Sequence, residues 1–156
     1  EVLIPDMCNE DEPLQTVFEA RPEILGHNIE TVPRLYSTVR PQAKYEWSLD
    51  VLKKSKSFGL RAKTAFMLGL GEKAEEVFAL MEDIFQTGCD ILAIGQYLQP
   101  TKKHHPVERY VHPYEFDLYK KMGLKMGFGW VEAGPLVRSS YHADEQATLT
   151  ATPIRV

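Results

Sequence analysis

Two adjacent hydroxyls and a guanidinium follow an apolar stretch near the end of the chain. Arg138, Ser139 and Ser140 come directly after Gly134-Pro135-Leu136-Val137 and precede Tyr141-His142-Ala143-Asp144. A helix that begins at this point would gather backbone N–H groups beside these side chains. Such a corner binds an anion or caps the helix, and the residues alone leave both interpretations open.

Three further polar clusters each follow a short apolar stretch that indicates a strand. The first pairs Asn28 with Glu30, the second joins Gly71 to Glu72, and the third is Gln96-Tyr97. Loops converge at the carboxyl ends of strands in α/β sheets and barrels, whereas the strands themselves are filled by core side chains. We therefore expect these clusters and the serine pair to meet at one rim and form a site.

Each cluster also has a purely structural interpretation. Asn28 is a good helix N-cap and Glu30 suits a first helical turn. Gly69 and Gly71 could mark no more than a bend near a strand end, and the Gln96-Tyr97 pair could fill the edge of a core. The residues by themselves therefore allow a site without proving one.

Apolar runs alternate with helical patterns along the chain, which is typical of βαβ units and a parallel sheet. The predicted strands are Val2–Ile4, Ile24–Asn28, Ala65–Leu70, Ile91–Ile94 and Phe128–Ala133. The predicted helices are Leu14–Ala20, Thr31–Thr38, one from about Trp47 that ends at Gly59, Glu75–Thr87 and Tyr114–Met126. We expect one α/β domain over residues 1–144 and a loose polar tail over residues 145–156.

Composition excludes some classes of function. The chain has 156 residues, of which 44% are hydrophobic and 26% charged, as expected of one globular domain. Its formal net charge of -4 offers no broad basic field for nucleic acid, and no apolar run approaches the roughly 18 residues of a membrane helix. Cys8 and Cys89 lie far apart in no metal-binding spacing, which predicts reduced thiols and a cytosol-like compartment.

Several histidines raise the question of a metal site: His104, His105, His112 and His142. Zinc ligands need helical or hairpin spacing, and adjacent histidines on a loop point apart, so we expect no mononuclear metal site. We interpret residues 100–113 as an ordered loop over the strand ends. Lys102, Lys103 and Arg109 would then be available to an acidic partner surface.

A series of motifs covers nearly the whole chain in a fixed order. They are His27-Asn28-Ile29-Glu30-Thr31-Val32-Pro33-Arg34, Val39-Arg40-Pro41, Met67-Leu68-Gly69-Leu70-Gly71-Glu72, Gly95-Gln96-Tyr97-Leu98-Gln99-Pro100, His104-His105-Pro106-Val107-Glu108-Arg109-Tyr110-Val111 and Arg138-Ser139-Ser140-Tyr141-His142-Ala143-Asp144. Their order and approximate spacing resemble those of the lipoyl synthases, a family of radical S-adenosylmethionine (SAM) enzymes. Members of that family insert sulfur at C6 and C8 of a protein-bound octanoyl chain to form the lipoyl cofactor.

The resemblance implies a fold and cofactors. The fold would be a partial (β/α) barrel of the TIM type with the later strands only, and the cofactors would be SAM and two [4Fe–4S] clusters. The residues that would contact SAM are Asn28, Glu30, Arg40, Lys63, Gly69, Gly71 and Glu72. Arg40 and Lys63 are included as cations for the SAM carboxylate, although either could equally be a solvated side chain.

The resemblance also assigns roles around the octanoyl group and the auxiliary cluster. Gln96 and Tyr97 would line the octanoyl site. Ser140 would be an iron ligand of the auxiliary cluster, with Ser139 as the alternative, and Arg138 would orient the ligand region. The implied partners are an octanoylated lipoyl-carrier protein (H protein or E2 lipoyl domains) and an electron donor such as ferredoxin or flavodoxin, without nucleic acid or membrane. The implied location is the cytoplasm, or the mitochondrion in a eukaryote.

One departure from the family matters. Lipoyl synthases carry two cysteine triplets for their clusters, and this chain has only Cys8 and Cys89. We therefore expect a C-terminal fragment that holds neither cluster, is inactive alone and is poorly soluble because a strand edge is exposed. Two alternatives remain open: a TIM-barrel lyase or aldolase with Lys63 as Schiff-base amine and Glu72 as acid/base partner, and a non-catalytic module that docks lipoyl domains through residues 102–109.

Overall fold

The computed structural model describes residues 1–147, which fold as layers of helix and sheet. The strands of this part pair in parallel and lie side by side in chain order. The strands are β1 (Val2–Leu3), β2 (Leu25–Gly26), β3 (Ala62–Leu68), β4 (Ile91–Gln96) and β5 (Trp130–Gly134). The helices are α1 (Asp11–Glu19), α2 (Tyr36–Val39), α3 (Tyr45–Ser57), α4 (Ala74–Gln86), α5 (Pro113–Met126) and α6 (Ala143–Ala147).

Local sequence signals explain the bounds of the long helices. In α4, Val77, Leu80 and Ile84 are buried, and their spacing of three and four gives the helix one apolar stripe towards the sheet. α5 begins with Pro113, whose fixed φ suits a first helical turn. It ends at Gly127, which has a left-handed φ of 114° that glycine adopts readily.

The main core lies between the sheet and the helices on its outer face. Alternate strand residues point into it, and Phe66 and Leu68 of β3 with Leu92 and Ile94 of β4 are at most 1% exposed. Burial of apolar area contributes roughly 25 cal/mol per Å² and is the main stabilising term. This layer fixes the strands, so their carboxyl ends form one rim.

The inner face of the sheet carries small residues and is covered by the chain that follows β5. Ala65 of β3 and Ala93 of β4 form a small buried cluster with Val137. The backbone oxygen of Val137 lies where a Cβ on Gly95 would stand, so a side chain at Gly95 would block this approach. The segment after β5 therefore folds back over the inner face and reaches the rim.

The parallel sheet and its crossover helices confirm the predicted α/β class and the partial barrel of the TIM type. β2 is shorter than the predicted strand Ile24–Asn28, because the chain leaves the ladder and re-enters it only where Glu30 pairs with Phe66. Glu30 has a left-handed φ of 71°, which bends the backbone there. The predicted helix Thr31–Thr38 is divided into a 3-10 turn, Pro33–Leu35, and the short helix α2.

The last described residues form a short helix, although the sequence predicted a loose tail from residue 145. α6 occupies Ala143–Ala147, its Gln146 is fully buried, and the Arg61 guanidinium donates to the Gln146 backbone oxygen at 3.0 Å. The predicted boundary at residue 144 therefore falls inside a helix, and the remainder of the expected tail, residues 148–156, lies outside the described residues. Within residues 1–147, no helix has both the length and the apolar character that a membrane crossing requires.

Candidate functional site

A cavity of about 190 Å³ opens at the rim on the inner face of the sheet. Polar residues from separate segments meet there: Asn28 and Glu30 after β2, Gln96 at the end of β4, and Arg138 with Ser139 after β5. The floor is small and apolar, and consists of Ala65, Phe66, Met67, Ala93, Gly95 and Val137. The expected convergence of polar clusters at one rim is therefore observed for these residues.

The backbone fixes the position of Glu30. Its N–H donates to the backbone oxygen of Ala65, and its own oxygen accepts from the N–H of Met67, at 3.0 and 2.9 Å. Burial raises the pKa of the Glu30 carboxyl above its ordinary value, while a hydrogen bond from the Asn28 side chain and the charge of Arg40 oppose that rise. Glu30 and Asn28 thus form a coupled polar pair in the wall of the cavity.

A second cavity of about 300 Å³ shares the wall formed by Asn28 and Glu30. Its other lining residues are Leu3, Ile4, Pro5, His27 and Arg40. Nη1 of Arg40 donates to the backbone oxygens of Asn28 and Ile29 at 3.2 and 3.3 Å, and to the Tyr36 hydroxyl at 3.1 Å. The guanidinium is therefore held beside the Asn28-Glu30 pair, and its pairing with a SAM carboxylate stays a prediction.

His27 is a polar residue of this second cavity that sequence analysis did not include among the site residues. Its side chain is buried, and Nδ1 lies 2.9 Å from the backbone oxygen of Ile4. Because a carbonyl oxygen only accepts, Nδ1 carries the proton and Nε2 is left as an acceptor, for which residues 1–147 supply no partner. Burial lowers the pKa of His27, so the ring is neutral near pH 7. Its position at the start of the first motif was the available signal.

The glycine turn Gly69-Leu70-Gly71 is held by Glu72. The Glu72 carboxylate accepts from the N–H groups of Gly69 at 2.8 Å and Leu70 at 2.9 Å. Both glycines have a left-handed φ, 96° and 97°, which explains why glycine stands at these positions. The observed contacts of Glu72 are therefore with its own turn, and its contact with SAM stays a prediction.

Residues 98–112, here called the strap, lie over this turn. Val111 N–H donates to Gln96 Oε1 at 2.9 Å, and Gln96 Nε2 donates to the backbone oxygen of Arg109 at 3.2 Å. The Tyr97 hydroxyl donates to the backbone oxygen of His105 at 2.8 Å. Gln96 thus joins the cavity wall to the strap, whereas Tyr97 lies in the outer core.

Lys63 points to the inner face but lies deep in the sheet. It is 1% exposed, and its Nζ lies 2.8 Å from a carboxylate oxygen of Glu1. It lines neither of the two cavities described above. The expected pairing of Lys63 with a ligand carboxylate therefore has no support from its position, and it stays a prediction.

The two serines differ in position. Ser139 lines the first cavity with Arg138, whereas Ser140 is exposed and does not line it. The structure therefore brings together five of the predicted site residues in the first cavity: Asn28, Glu30, Gln96, Arg138 and Ser139. The second cavity adds Arg40, and neither cavity is lined by Lys63, Gly69, Gly71, Glu72, Tyr97 or Ser140.

The donors and acceptors present can be compared with the implied cofactors. SAM carries ribose hydroxyls and an ammonium group that need acceptors, and a carboxylate that needs a cation. Asn28, Glu30 and the unpartnered Nε2 of His27 supply acceptors, and Arg40 supplies the cation. The residues of the two cavities therefore fit the polar groups of SAM.

An iron–sulfur cluster does not fit these residues on their own. Within residues 1–147, no three His, Cys, Asp or Glu side chains are grouped as metal ligands. Cys8 is exposed and Cys89 is buried, and burial raises the pKa of the Cys89 thiol to about 12, far from the thiolate form that iron binds. An iron–sulfur cluster would therefore need cysteine thiolates other than those of Cys8 and Cys89.

Comparison with solved structures shows the fold. The chain is similar to the crystal structure of Streptococcus suis SuiB, with a TM-score of 0.63 and 7% sequence identity. The match covers 80% of this chain and 29% of that chain. The likeness agrees with the partial barrel, and no model of a known protein family matches the chain.

Comparison with curated proteins shows the family. The chain is 57% identical to the lipoyl synthase of Rubrobacter xylanophilus over 148 residues, 54% to that of Chlorobium phaeovibrioides over 147, and 52% to that of Koribacter versatilis over 156. These matches cover 94%, 94% and 99% of this chain, but 46%, 52% and 51% of the relatives. The chain thus spans about half the length of the curated relatives it matches. Since the similarity runs through nearly all of its own residues, the chain belongs to the lipoyl synthase family.

Proposed function

We propose that this chain is the C-terminal part of an enzyme that inserts sulfur at C6 and C8 of a protein-bound octanoyl chain. The carrying observation is the rim cavity, in which Asn28, Glu30, Gln96, Arg138 and Ser139 meet although they come from separate segments. The identity of 50–57% with lipoyl synthases supports the same assignment. The isolated chain would be inactive, because each [4Fe–4S] cluster needs several thiolates, whereas Cys8 and Cys89 lie apart and no group within residues 1–147 could hold a metal.

SAM would bind across the wall that the two cavities share. When bound and reductively cleaved, SAM supplies the radical that removes hydrogen from the octanoyl chain. Asn28 and Glu30 would accept hydrogen bonds from its hydroxyl and ammonium groups, and Arg40 would pair with its carboxylate. The small apolar floor formed by Ala65, Ala93 and Val137 would exclude water from the reacting carbons.

The serine pair would supply one oxygen ligand to iron of the auxiliary cluster, whose thiolates come from outside this chain. The family resemblance implies that this ligand is Ser140, with Ser139 as the alternative. Arg138 would then orient the ligand region with its fixed guanidinium donors. The position of Ser139 in the cavity wall supports the alternative.

The partners would be an octanoylated lipoyl-carrier protein and an electron donor such as ferredoxin or flavodoxin, in the cytoplasm or the mitochondrion. A Schiff-base lyase is less well supported. Lys63 is buried against Glu1, and the Glu72 carboxylate is engaged by backbone N–H groups, so the two are not arranged as an amine and its acid/base partner. The non-catalytic docking module differs from the main proposal in predicting carrier binding without turnover.

The experiment is SAM titration of the full-length protein and its variants. Asn28→Ala and Glu30→Ala should each weaken SAM binding by roughly 1–3 kcal/mol, about 5- to 150-fold in Kd, because a polar group of SAM loses its partner. Glu23→Ala removes an exposed carboxylate outside both cavities and is the matched control. Unchanged affinity in Asn28→Ala and Glu30→Ala would overturn the placement of SAM.

A further inference from the structure

We propose that the outer surface of the strap is the docking surface for an acidic protein domain that carries the octanoyl group. The strap surface comprises the exposed residues Leu98, Lys102, Lys103, His104 and Tyr110. The inference rests on the proposed function, because that function requires a protein-bound octanoyl chain to reach the cavity.

The strap is fastened to the rim at separated points. At one end, Gln96 binds the backbone of Arg109 and Val111. In the middle, Nε2 of His105 lies 3.0 Å from the backbone oxygen of Leu70, and the N–H of Glu108 donates to the backbone oxygen of Gly69 at 2.9 Å. A loop held in this way is ordered before a partner arrives, so that docking loses less conformational entropy.

The charge of the strap is opposite to that of the chain. Residues 98–112 contain Lys102, Lys103 and Arg109 but a single carboxylate, Glu108, whereas the whole chain has a formal net charge of -4. Arg109 is bound on both guanidinium nitrogens by Glu115, at 2.7 and 2.9 Å, and so is not available as sequence analysis expected. None of the ion pairs formed within residues 1–147 engages Lys102 or Lys103. These two ammonium groups therefore present a local basic field that attracts an acidic surface.

Apolar side chains accompany the lysines. Tyr110 is 76% exposed and Leu98 is 48% exposed, and Tyr114 in the first turn of α5 is 68% exposed. Tyrosine is enriched at protein interfaces, where its side chain often supplies much of the binding energy. The combination fits a folded acidic domain better than a small anion.

The strap surface is next to the cavity. Gln96 lines the cavity, and its amide holds Arg109 and Val111 on the other side. A domain seated on the strap would therefore stand at the cavity mouth, where its octanoyl-lysine arm could enter between Gln96 and Ser139. The lysines would contribute to docking and not to the chemical step.

The test uses the full-length enzyme with the double variant Lys102→Glu, Lys103→Glu. Two substrates are compared, an octanoylated lipoyl domain of net negative charge and a short neutral peptide with octanoyl-lysine. The KM for the domain should rise roughly tenfold or more with kcat unchanged, and its salt dependence should weaken, because an attractive charge pairing has been reversed. Turnover of the peptide should stay at the wild-type rate.

The matched control is Lys121→Glu, Lys125→Glu in α5. That helix starts beside the strap and leads to the start of β5, which is parallel to β4, so its last turns lie towards the amino ends of the strands and away from the rim. An unchanged KM for the domain in the strap variant, or an equal loss with domain and peptide, would overturn the docking surface. If the wild-type enzyme processes neither substrate, the proposed function fails instead. Calorimetric binding of the domain to the wild type and to both variants then decides the docking surface independently of turnover.

Discussion

The side-chain amide of Gln96 occupies the space that a Cβ on Gly69 would need. The backbone oxygen of Arg109 approaches the same point, so that the absent side chain of Gly69 makes room for both groups. Gly69 also has a left-handed φ of 96°. The strap therefore packs against the glycine turn and the side chain of Gln96.

Replacement of Gly69 by Ala should destabilise the protein more than the same change at Gly59. Both glycines have a positive φ, but a Cβ on Gly59 would meet nothing closer than an Arg21 nitrogen at 4.0 Å. Gly59→Ala should lose about 1–2 kcal/mol from left-handed strain, and Gly69→Ala about 1–3 kcal/mol more from displacement of Gln96 and the strap. Urea unfolding measures both, and equal losses would contradict the close approach.

Removal of the Gln96 amide should release the strap. In Gln96→Ala the N–H of Val111 loses its acceptor. The free energy that protects this amide from hydrogen exchange should fall by about 1–2 kcal/mol, which raises its exchange rate roughly 5- to 30-fold. Gln99→Ala is the control, because Gln99 bonds to His104 within the exposed part of the strap. Hydrogen exchange of the Val111 amide gives the answer. The same rate in the wild type and Gln96→Ala would show that Gln96 does not hold the strap.

His27 should make the stability of the protein depend on pH in the acid range. Burial lowers its folded-state pKa below the ordinary 6.5, with the backbone of Ile4 opposing. The unfolded state then binds more protons below pH 6.5, so the free energy of unfolding should fall as pH drops from 6.5 towards the folded pKa. Thermal unfolding from pH 7 to pH 5 should show a flatter profile in His27→Gln than in the wild type. Identical slopes in the wild type and His27→Gln would refute the assignment.

Glu30 should make the free energy of unfolding depend on pH in the direction opposite to that of His27. Burial raises the folded-state pKa of its carboxyl above 4.5, so the folded state binds a proton more tightly than the unfolded state does. The free energy of unfolding should therefore fall as pH rises from 4.5 through the folded pKa. Glu30→Gln should remove this contribution while it keeps the shape of the side chain. Comparison of unfolding free energies of the wild type and Glu30→Gln between pH 4 and pH 7 measures it. A difference that does not change with pH would exclude the raised pKa.

The serine pair gives a prediction about sulfur insertion. In the full-length enzyme, Ser140→Ala should leave deoxyadenosine formation largely intact and abolish lipoyl product, if Ser140 is the iron ligand. Ser139→Ala should show this split instead if the residue in the cavity wall is the ligand. Both products are measured in the same reaction mixture, together with the iron content of each variant. If Ser139→Ala and Ser140→Ala both form lipoyl product at the wild-type rate, neither hydroxyl is an iron ligand and both have only a structural role.

The sequence by itself determined the class of fold, the long helices and the family. The helix predicted over Glu75–Thr87 corresponds to α4, and the one over Tyr114–Met126 corresponds to α5. These predictions succeed because an apolar stripe, an N-terminal proline and a terminal glycine act within a few residues of the helix they define. The ordered motifs gave the family for a similar reason, since they extend through almost the whole chain.

The tertiary structure decided which polar residues share a cavity. Glu72 holds the glycine turn, and Lys63 is buried against Glu1, so neither lines the two cavities, and the SAM contacts that the resemblance implied for both stay predictions. Ser139 and Ser140 are neighbours in sequence, yet their exposure differs because Val137 packs over the inner face of the sheet and sets the direction of the chain that follows. The orientation of a side chain in such an irregular segment depends on contacts between residues far apart in sequence, which local patterns of residue type do not encode.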